Sequence, residues 1–302
     1  MVTFTIRRAH AWCPVLGMAC AVLSAASTSP AAASTRLAQA VAGPTQDRPA
    51  LTASAESYLQ TGWDRLNGGD FDEAASAFRQ AVQLKPDLAA GQFGLGLALA
   101  ELHRYGEAVE CFERSIALRP DVATAYLNLG LAYTRLEKMT SALEAFQQAA
   151  RINPEDPRAQ LGIGSTYGNL ERWKEALESL QRAVGLAPRN RDARYSLAKA
   201  LAKTGRLEEA LVQYRQSVLL APADPEAHFR LGLTLVDLHR TAEAVDALSE
   251  AVRLRPGYAA AMFNLSLAYN ALGRVRDARD EQRRLAAIDA NLSGQLDLLL
   301  GK

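Results

Sequence analysis

The chain has 302 residues, with 34 basic against 33 acidic side chains and a formal charge of +1. That length can bury a large core in one or two domains. So even a balance gives no sign of a basic surface built for phosphate backbones or of an acidic tail. Alanine and leucine abound, aromatics are modest and long β-branched runs are missing, which favours helix.

Residues 1–33 read as a secretory signal peptide. Arg7 and Arg8 precede the apolar run AWCPVLGMACAVLSAA (11–26), and small residues follow, with Ala-x-Ala sites at Ala31–Ala33 and Ala38–Ala40. Cleavage is expected after 33, or as late as 40. The run is shorter than the roughly 20 residues of a spanning helix, and Pro14 interrupts it. Ala9-His10-Ala11 stands where a twin-arginine signal has its hydrophobic pair, so the general secretory route is expected. Cys20 is the one lipidation candidate, but Gly17 occupies the place where a lipoprotein signal carries a branched apolar residue. Loss of the signal removes Cys13 and Cys20, and the remaining Cys111 has no internal disulfide partner. Residues 34–54, rich in Ala, Thr, Pro and Ser, read as a linker.

From 55 onward the sequence repeats. Prolines fall at 86, 120, 154, 188, 222 and 256, always 34 residues apart, within the phrases AVQLKPD, SIALRPD, AARINPE, AVGLAPR, SVLLAPA and AVRLRPG. A fixed period of this length is the signature of a solenoid. With proline at place 32, repeats start at 55, 89, 123, 157, 191, 225 and 259. Place 20 is alanine in all seven, from Ala74 to Ala278, and place 8 is always small (Gly62, Gly96, Gly130, Gly164, Ala198, Gly232, Ser266). Place 24 is large in six: Phe78, Phe112, Phe146, Leu180, Tyr214 and Leu248. Each unit holds two apolar-periodic stretches, consistent with two antiparallel helices. Small residues at places 8 and 20 let the helices approach, the large residue at place 24 fills the space between hairpins, and proline ends the second helix. At place 15, Gly69, Gly205, Gly273, His103 and His239 suit a left-handed helix end.

In length, order and residue type this pattern resembles the tetratricopeptide repeat, most closely in AYLNLGLAYTRLEKMTSALEAFQQAARINP (125–154). The resemblance covers 55–290 and implies an all-α fold: a right-handed superhelical α-solenoid of seven helix-turn-helix repeats. Departures gather at the ends, with Thr61 in the first repeat and Gln282 and Ala290 in the last, where units pack on one side only. Residues 291–302, NLSGQLDLLLGK, are expected to form a capping helix.

No catalytic, metal or cofactor site emerges. Gly94-x-Gly96 has Leu99 where a dinucleotide motif has its third glycine, and GIGSTYG (162–168) has the wrong spacing with no preceding strand. His103 and His239 share place 15 in distant repeats, His228 occupies a packing place, and no His-x-x-x-His pair exists. Cys111 has no histidine near it in sequence, and reads as a surface or semi-buried helical residue. Carboxylates such as those of DFDEA (70–74) and LEEA (207–210) read as solvated helix starts. A non-catalytic protein without cofactor is expected.

The resemblance places the functional surface on the concave face, lined by places 2, 5, 6, 9, 12 and 13 of each first helix. Place 5 is an apolar and aromatic ladder: Leu59, Phe93, Leu127, Leu161, Tyr195, Phe229 and Phe263. Trp63 and Lys199 at place 9, Arg158 and Asp192 at place 2, and Asn128, Arg230 and Asn264 at place 6 complete the expected groove. The asparagine amides suit a peptide backbone. Two readings of the ladder stay open, packing against the adjacent repeat or contact with an extended polypeptide or apolar helix. The chaperone-binding dicarboxylate clamp is missing, since Leu127 and Leu131 are followed by Gly162.

The expectation is therefore an exported scaffold or adaptor of a bacterial cell envelope, periplasmic or envelope-associated, that binds a protein or peptide partner. Nucleic acid is not an expected partner, and membrane attachment is expected only through an uncleaved signal or a lipid anchor. Two alternatives stand beside it: a lipid-anchored envelope assembly or carrier factor, and a targeting subunit for a separately encoded enzyme such as a glycosyltransferase.

Overall fold

The computed structural model describes residues 51–300, with side chains from 55; the expected signal peptide and Cys20 lie outside the described residues. Fifteen helices follow in chain order among the described residues: α1 (Leu51–Gly68), α2 (Phe71–Leu84), α3 (Ala89–Glu101), α4 (Tyr105–Leu118), α5 (Ala123–Arg135), α6 (Met139–Ile152), α7 (Pro157–Asn169), α8 (Trp173–Leu186), α9 (Arg191–Lys203), α10 (Leu207–Leu220), α11 (Pro225–Asp237), α12 (Thr241–Leu254), α13 (Ala259–Ala271), α14 (Val275–Ala286) and α15 (Ala290–Leu300). They make seven hairpins and a cap. The last residues of the expected linker are helical, because α1 starts at Leu51 rather than at the first repeat place, 55.

Each hairpin turns the same way. The amide of place 16 donates to the carbonyl of place 11 at 2.8–2.9 Å in all seven repeats, from Asp70 to Arg65 through Arg274 to Tyr269. This closing bond requires a left-handed residue at place 15. Gly69, Gly205 and Gly273 have that conformation, and so do His103, Glu137, Glu171 and His239. Between repeats, the residue before each proline is extended, as at Lys85 (φ −139°) and Arg255 (φ −135°), since the proline ring disfavours helical backbone there. The last repeat has Ala290 in place of proline, and the chain passes directly into the cap.

Packing follows the sequence pattern closely. All seven place-20 alanines are fully buried. A Cβ on Gly96 would fall 2.6 Å from the Phe112 ring, and one on Gly130 would fall 2.7 Å from Phe146. The place-24 ring therefore lies against the first helix of its own hairpin. It also meets place 6 of the next: a Cβ on Gly94 would meet Phe78 at 2.5 Å, and one on Gly162 would meet Phe146 at 2.6 Å. The two glycines that mimic a nucleotide loop thus face two successive phenylalanines. Each such ring or leucine, fully buried, is worth roughly 1.5–3 kcal/mol. In the last repeat, Ser266 at place 8 donates to the Ala278 carbonyl at 2.7 Å. There Gln282 replaces the large residue and hydrogen-bonds Asp297 of the cap, while Leu285 and Leu296 bury between them the apolar surface that a further repeat would have covered.

First helices of consecutive repeats touch one another along the array, whereas no two second helices do among the described residues. The solenoid therefore curves toward α1, α3, α5, α7, α9, α11 and α13, which line its inner face. Cys111 is buried rather than semi-exposed, because place 23 of α4 faces the preceding hairpin, and burial pushes its thiol pKa up.

Candidate functional site

The inner face divides the expected groove residues into two groups. Phe93, Leu127, Leu161, Phe229 and Phe263 of the place-5 ladder expose between 0 and 6% of their surface, so they form core. The cause is the inward curvature: neighbouring first helices close over place 5. Trp63 is buried too, edge-on to Phe78 with centroids 5.1 Å apart, and Phe93 continues the aromatic stack to Phe112 at 5.8 Å. Leu59 is half-buried against the same cluster. These residues shape the floor from beneath, and a ligand would meet what lies above them.

The asparagines differ from expectation as well. Asn128 donates its amide to the Thr124 carbonyl and Asn264 to the Ala260 carbonyl, both at 2.8 Å and both one turn back on their own helix. One amide N–H of each is thus used locally, and each side chain has a second N–H and a carbonyl oxygen besides. Arg158 is exposed, but its guanidinium returns to Asp156, which also caps α7 through the Arg158 amide. Asp192 is half-buried beside Arg191, at 3.3 Å. Burial raises its pKa, Arg191 opposes this, and Asp224 adds to it.

Three expected residues come together across α9 and α11: Tyr195, Lys199 and Arg230. The carboxylate that joins them is Glu226, at place 2 of α11. Arg230 Nε donates to Glu226 Oε1 at 2.8 Å, the Tyr195 hydroxyl donates to the same oxygen at 3.4 Å, and the Tyr258 hydroxyl donates to Oε2. Burial alone would raise the Glu226 pKa, but Arg230 and the three donated hydrogen bonds hold it below the ordinary carboxylate range. Tyr195 and Tyr258 shift the opposite way, raised first by burial and then by Glu226. The Tyr258 ring packs on Phe229 with centroids 4.9 Å apart, and the Arg255 guanidinium lies over the ring, 4.6 Å from its centroid.

Lys199 lies beside this network with its ammonium 5.5 Å from the centroid of Trp173, and Lys203, one turn on, approaches the same ring at 6.0 Å. Trp173 starts α8 and is seated against Gly168, whose added Cβ would lie 3.2 Å from the ring. Burial lowers the Lys199 pKa, and Arg230 and Lys203 lower it further.

Glu226, Tyr258, Trp173 and Lys203 were not singled out from sequence. The signal was present at two of them. Among the place-2 residues only Glu226 is a glutamate followed four residues later by arginine, and Tyr258 stands where other repeats carry Leu88, Val122, Asp156, Asn190 or Asp224. Among the described residues, no group of three His, Cys, Asp or Glu side chains is arranged to hold a metal ion.

A family model described as tetratricopeptide repeat matches residues 59–114, 93–157, 161–228 and 229–293. Among solved structures, YrrB, a tetratricopeptide repeat protein with an unusual peptide-binding site, is 27% identical with a TM-score of 0.54, covering 62% of this chain and 97% of its own. MamA from Desulfovibrio magneticus RS-1 (residues 41 to the end) is 22% identical with a TM-score of 0.54, covering 58% and 99%. The APC/C hetero-tetramer Cut9–Hcn1 gives 19% identity and a TM-score of 0.63 over 80% of this chain and 46% of the matched one. The last two share the fold alone. A comparison with curated protein sequences gives no match.

Proposed function

This chain belongs to the tetratricopeptide repeat family, whose members bind protein or peptide partners, and on that premise we propose that it holds an extended polypeptide along its inner face. The supporting observation is the reachable floor over α9 and α11. There Tyr195, Lys199 and Arg230 stay partly accessible above a packed layer, while Phe93, Leu127, Leu161, Phe229 and Phe263 of the ladder are closed. The likeness to YrrB, with its peptide-binding site, points the same way. The leader-like residues 1–33 support export to the cell envelope, where the protein would act as a scaffold without chemistry of its own.

A photo-crosslinking amino acid tests the surface. Placed at Ser196 on α9, it is expected to capture a co-selected peptide from a displayed library. Placed at Gln216, exposed on the second helix α10, it is expected to capture none. Equal capture at both positions contradicts the groove. Export is checked by fractionation and N-terminal sequencing of the product, which is expected to start after residue 33 or 40; an intact N-terminus in the cytosol contradicts it.

A further inference from the structure

Consecutive second helices do not touch among the described residues, so the outer side of the solenoid opens a cleft between one hairpin and the next. Two places meet at its floor, place 4 of a first helix and place 23 of the second helix that follows. In repeat 5 these two are partners: Arg194 donates to the Gln213 side-chain oxygen at 2.8 Å and to the Pro188 carbonyl at 2.6 Å. In repeat 6, His228 at place 4 donates to the Pro222 carbonyl at 2.9 Å. Repeat 2 has Gln92 and Cys111 at the two places. Gln92 is 7% exposed, and its Oε1 has no hydrogen-bond partner among the described residues. The Cys111 thiol beside it is only a weak donor. Here the cleft keeps a cavity of about 270 Å³ between α2, α3 and α4, with Gln92, Leu95, Leu99, Val82 and Cys111 along its wall.

We propose that this cavity binds a compact, neutral aromatic molecule carrying one N–H or O–H donor, with the donor on Gln92 and the ring against Leu95, Leu99 and Val82. The acceptor sets the polarity of the ligand. A buried amide oxygen without a partner has lost its water and gained nothing in exchange, so a donor brought to it recovers a bond that the fold leaves unmade. The glutamine amide turns about a soft terminal torsion, which lets the oxygen swing to a donor in the cavity. The volume sets the size: an apolar cavity of about 150 Å³ holds benzene, so this one has room for two fused rings. The rim sets the charge. Arg79, Arg114, Glu107 and Glu110 surround the mouth, with Glu107 held by Arg104 at 2.7 Å and Glu110 beside Arg114 at 3.8 Å. An ionic ligand of either sign would meet a like charge there, and a neutral one does not.

The test uses the full chain with indole and benzofuran, fused rings of similar shape of which only indole carries an N–H donor, titrated by saturation-transfer difference NMR. Indole is expected to bind about fivefold tighter than benzofuran, and to slow N-ethylmaleimide labelling of Cys111 followed by peptide mass spectrometry. Gln92→Met nearly keeps the volume and removes the acceptor. It is expected to abolish the preference for indole, with both compounds still protecting Cys111 and the melting temperature not lowered. Val82→Trp, which fills the cavity from α2, is expected to remove binding and protection together. Equal affinity for the two compounds, a preference that survives Gln92→Met, protection that persists in a folded Val82→Trp, or Cys111 labelling unaltered by millimolar indole overturns the proposal. So does tighter binding of N-acetyltryptophanamide than of indole, which would mark the cleft as the seat of a partner's side chain rather than of a free molecule.

Discussion

The inner face of repeats 1–3 and that of repeats 5–6 are built on one template and put to different uses. In the first region, Trp63, Phe93 and Leu127 occupy the groove places and are sealed by their neighbours, so chemistry visible in the sequence is spent on packing. In the second, Tyr195, Glu226, Arg230 and Lys199 occupy equivalent places over an equally packed layer, and polar atoms remain within reach of solvent. An apolar side chain at place 5 is consumed by curvature, whereas a long polar one rises above it. Stability and recognition are therefore separable along the array.

Substitutions can break or sharpen that separation. Phe112→Ala, in the packed region, is expected to cost about 3–5 kcal/mol in urea unfolding, from lost transfer energy and a cavity lined by Phe93 and the α3 backbone. If the loss is below about 1 kcal/mol, the place-24 ring is not the wedge described. Gly96→Ala follows at about 1–3 kcal/mol, because its Cβ would meet the Phe112 ring at 2.6 Å; Gly106→Ala, with nothing within 4 Å, should be neutral or slightly stabilising.

In the polar region, Glu226→Gln is expected to cost about 1–2 kcal/mol at neutral pH, reduced from a fully buried pair because the carboxylate is about a third exposed. The Glu226 pKa is depressed in the folded chain, so its contribution is full above the ordinary carboxylate range and fades as pH falls through the folded value. The variant should therefore differ most from the parent near neutrality and converge with it in acid. A gap that widens on acidification contradicts the assignment. The smallest effect is expected at Glu171→Gly, where relief of a left-handed backbone (φ 56°) should stabilise by about 0.5–1 kcal/mol in thermal melts.

How much of this was legible in the sequence depends on the range of the interaction. The turn at place 15 and the proline at place 32 are set by backbone rules acting within a few residues. The pattern reached their conformations directly, although Glu137 and Glu171 adopt the left-handed form against their own preference. The wedge at place 24 was readable because small and large residues alternate in fixed register. The fate of place 5 was not, because burial there depends on how closely successive first helices approach. Nor was the contact between Tyr258 and Glu226, which lie 32 residues apart and meet only after two hairpins stack. The local hydrogen bonds of the asparagine amides were not read for a related reason: a carbonyl one turn back is always present in a helix, and it takes one of the two amide N–H groups.

Amide hydrogen exchange of the full chain with and without a peptide captured at Ser196 tests the central claim most directly. The account predicts slowed exchange confined to α9 and α11 and the turn leading into α13, with α1, α3 and α5 unchanged. Protection centred on α3 and α5, with α9 and α11 unaffected, would contradict it.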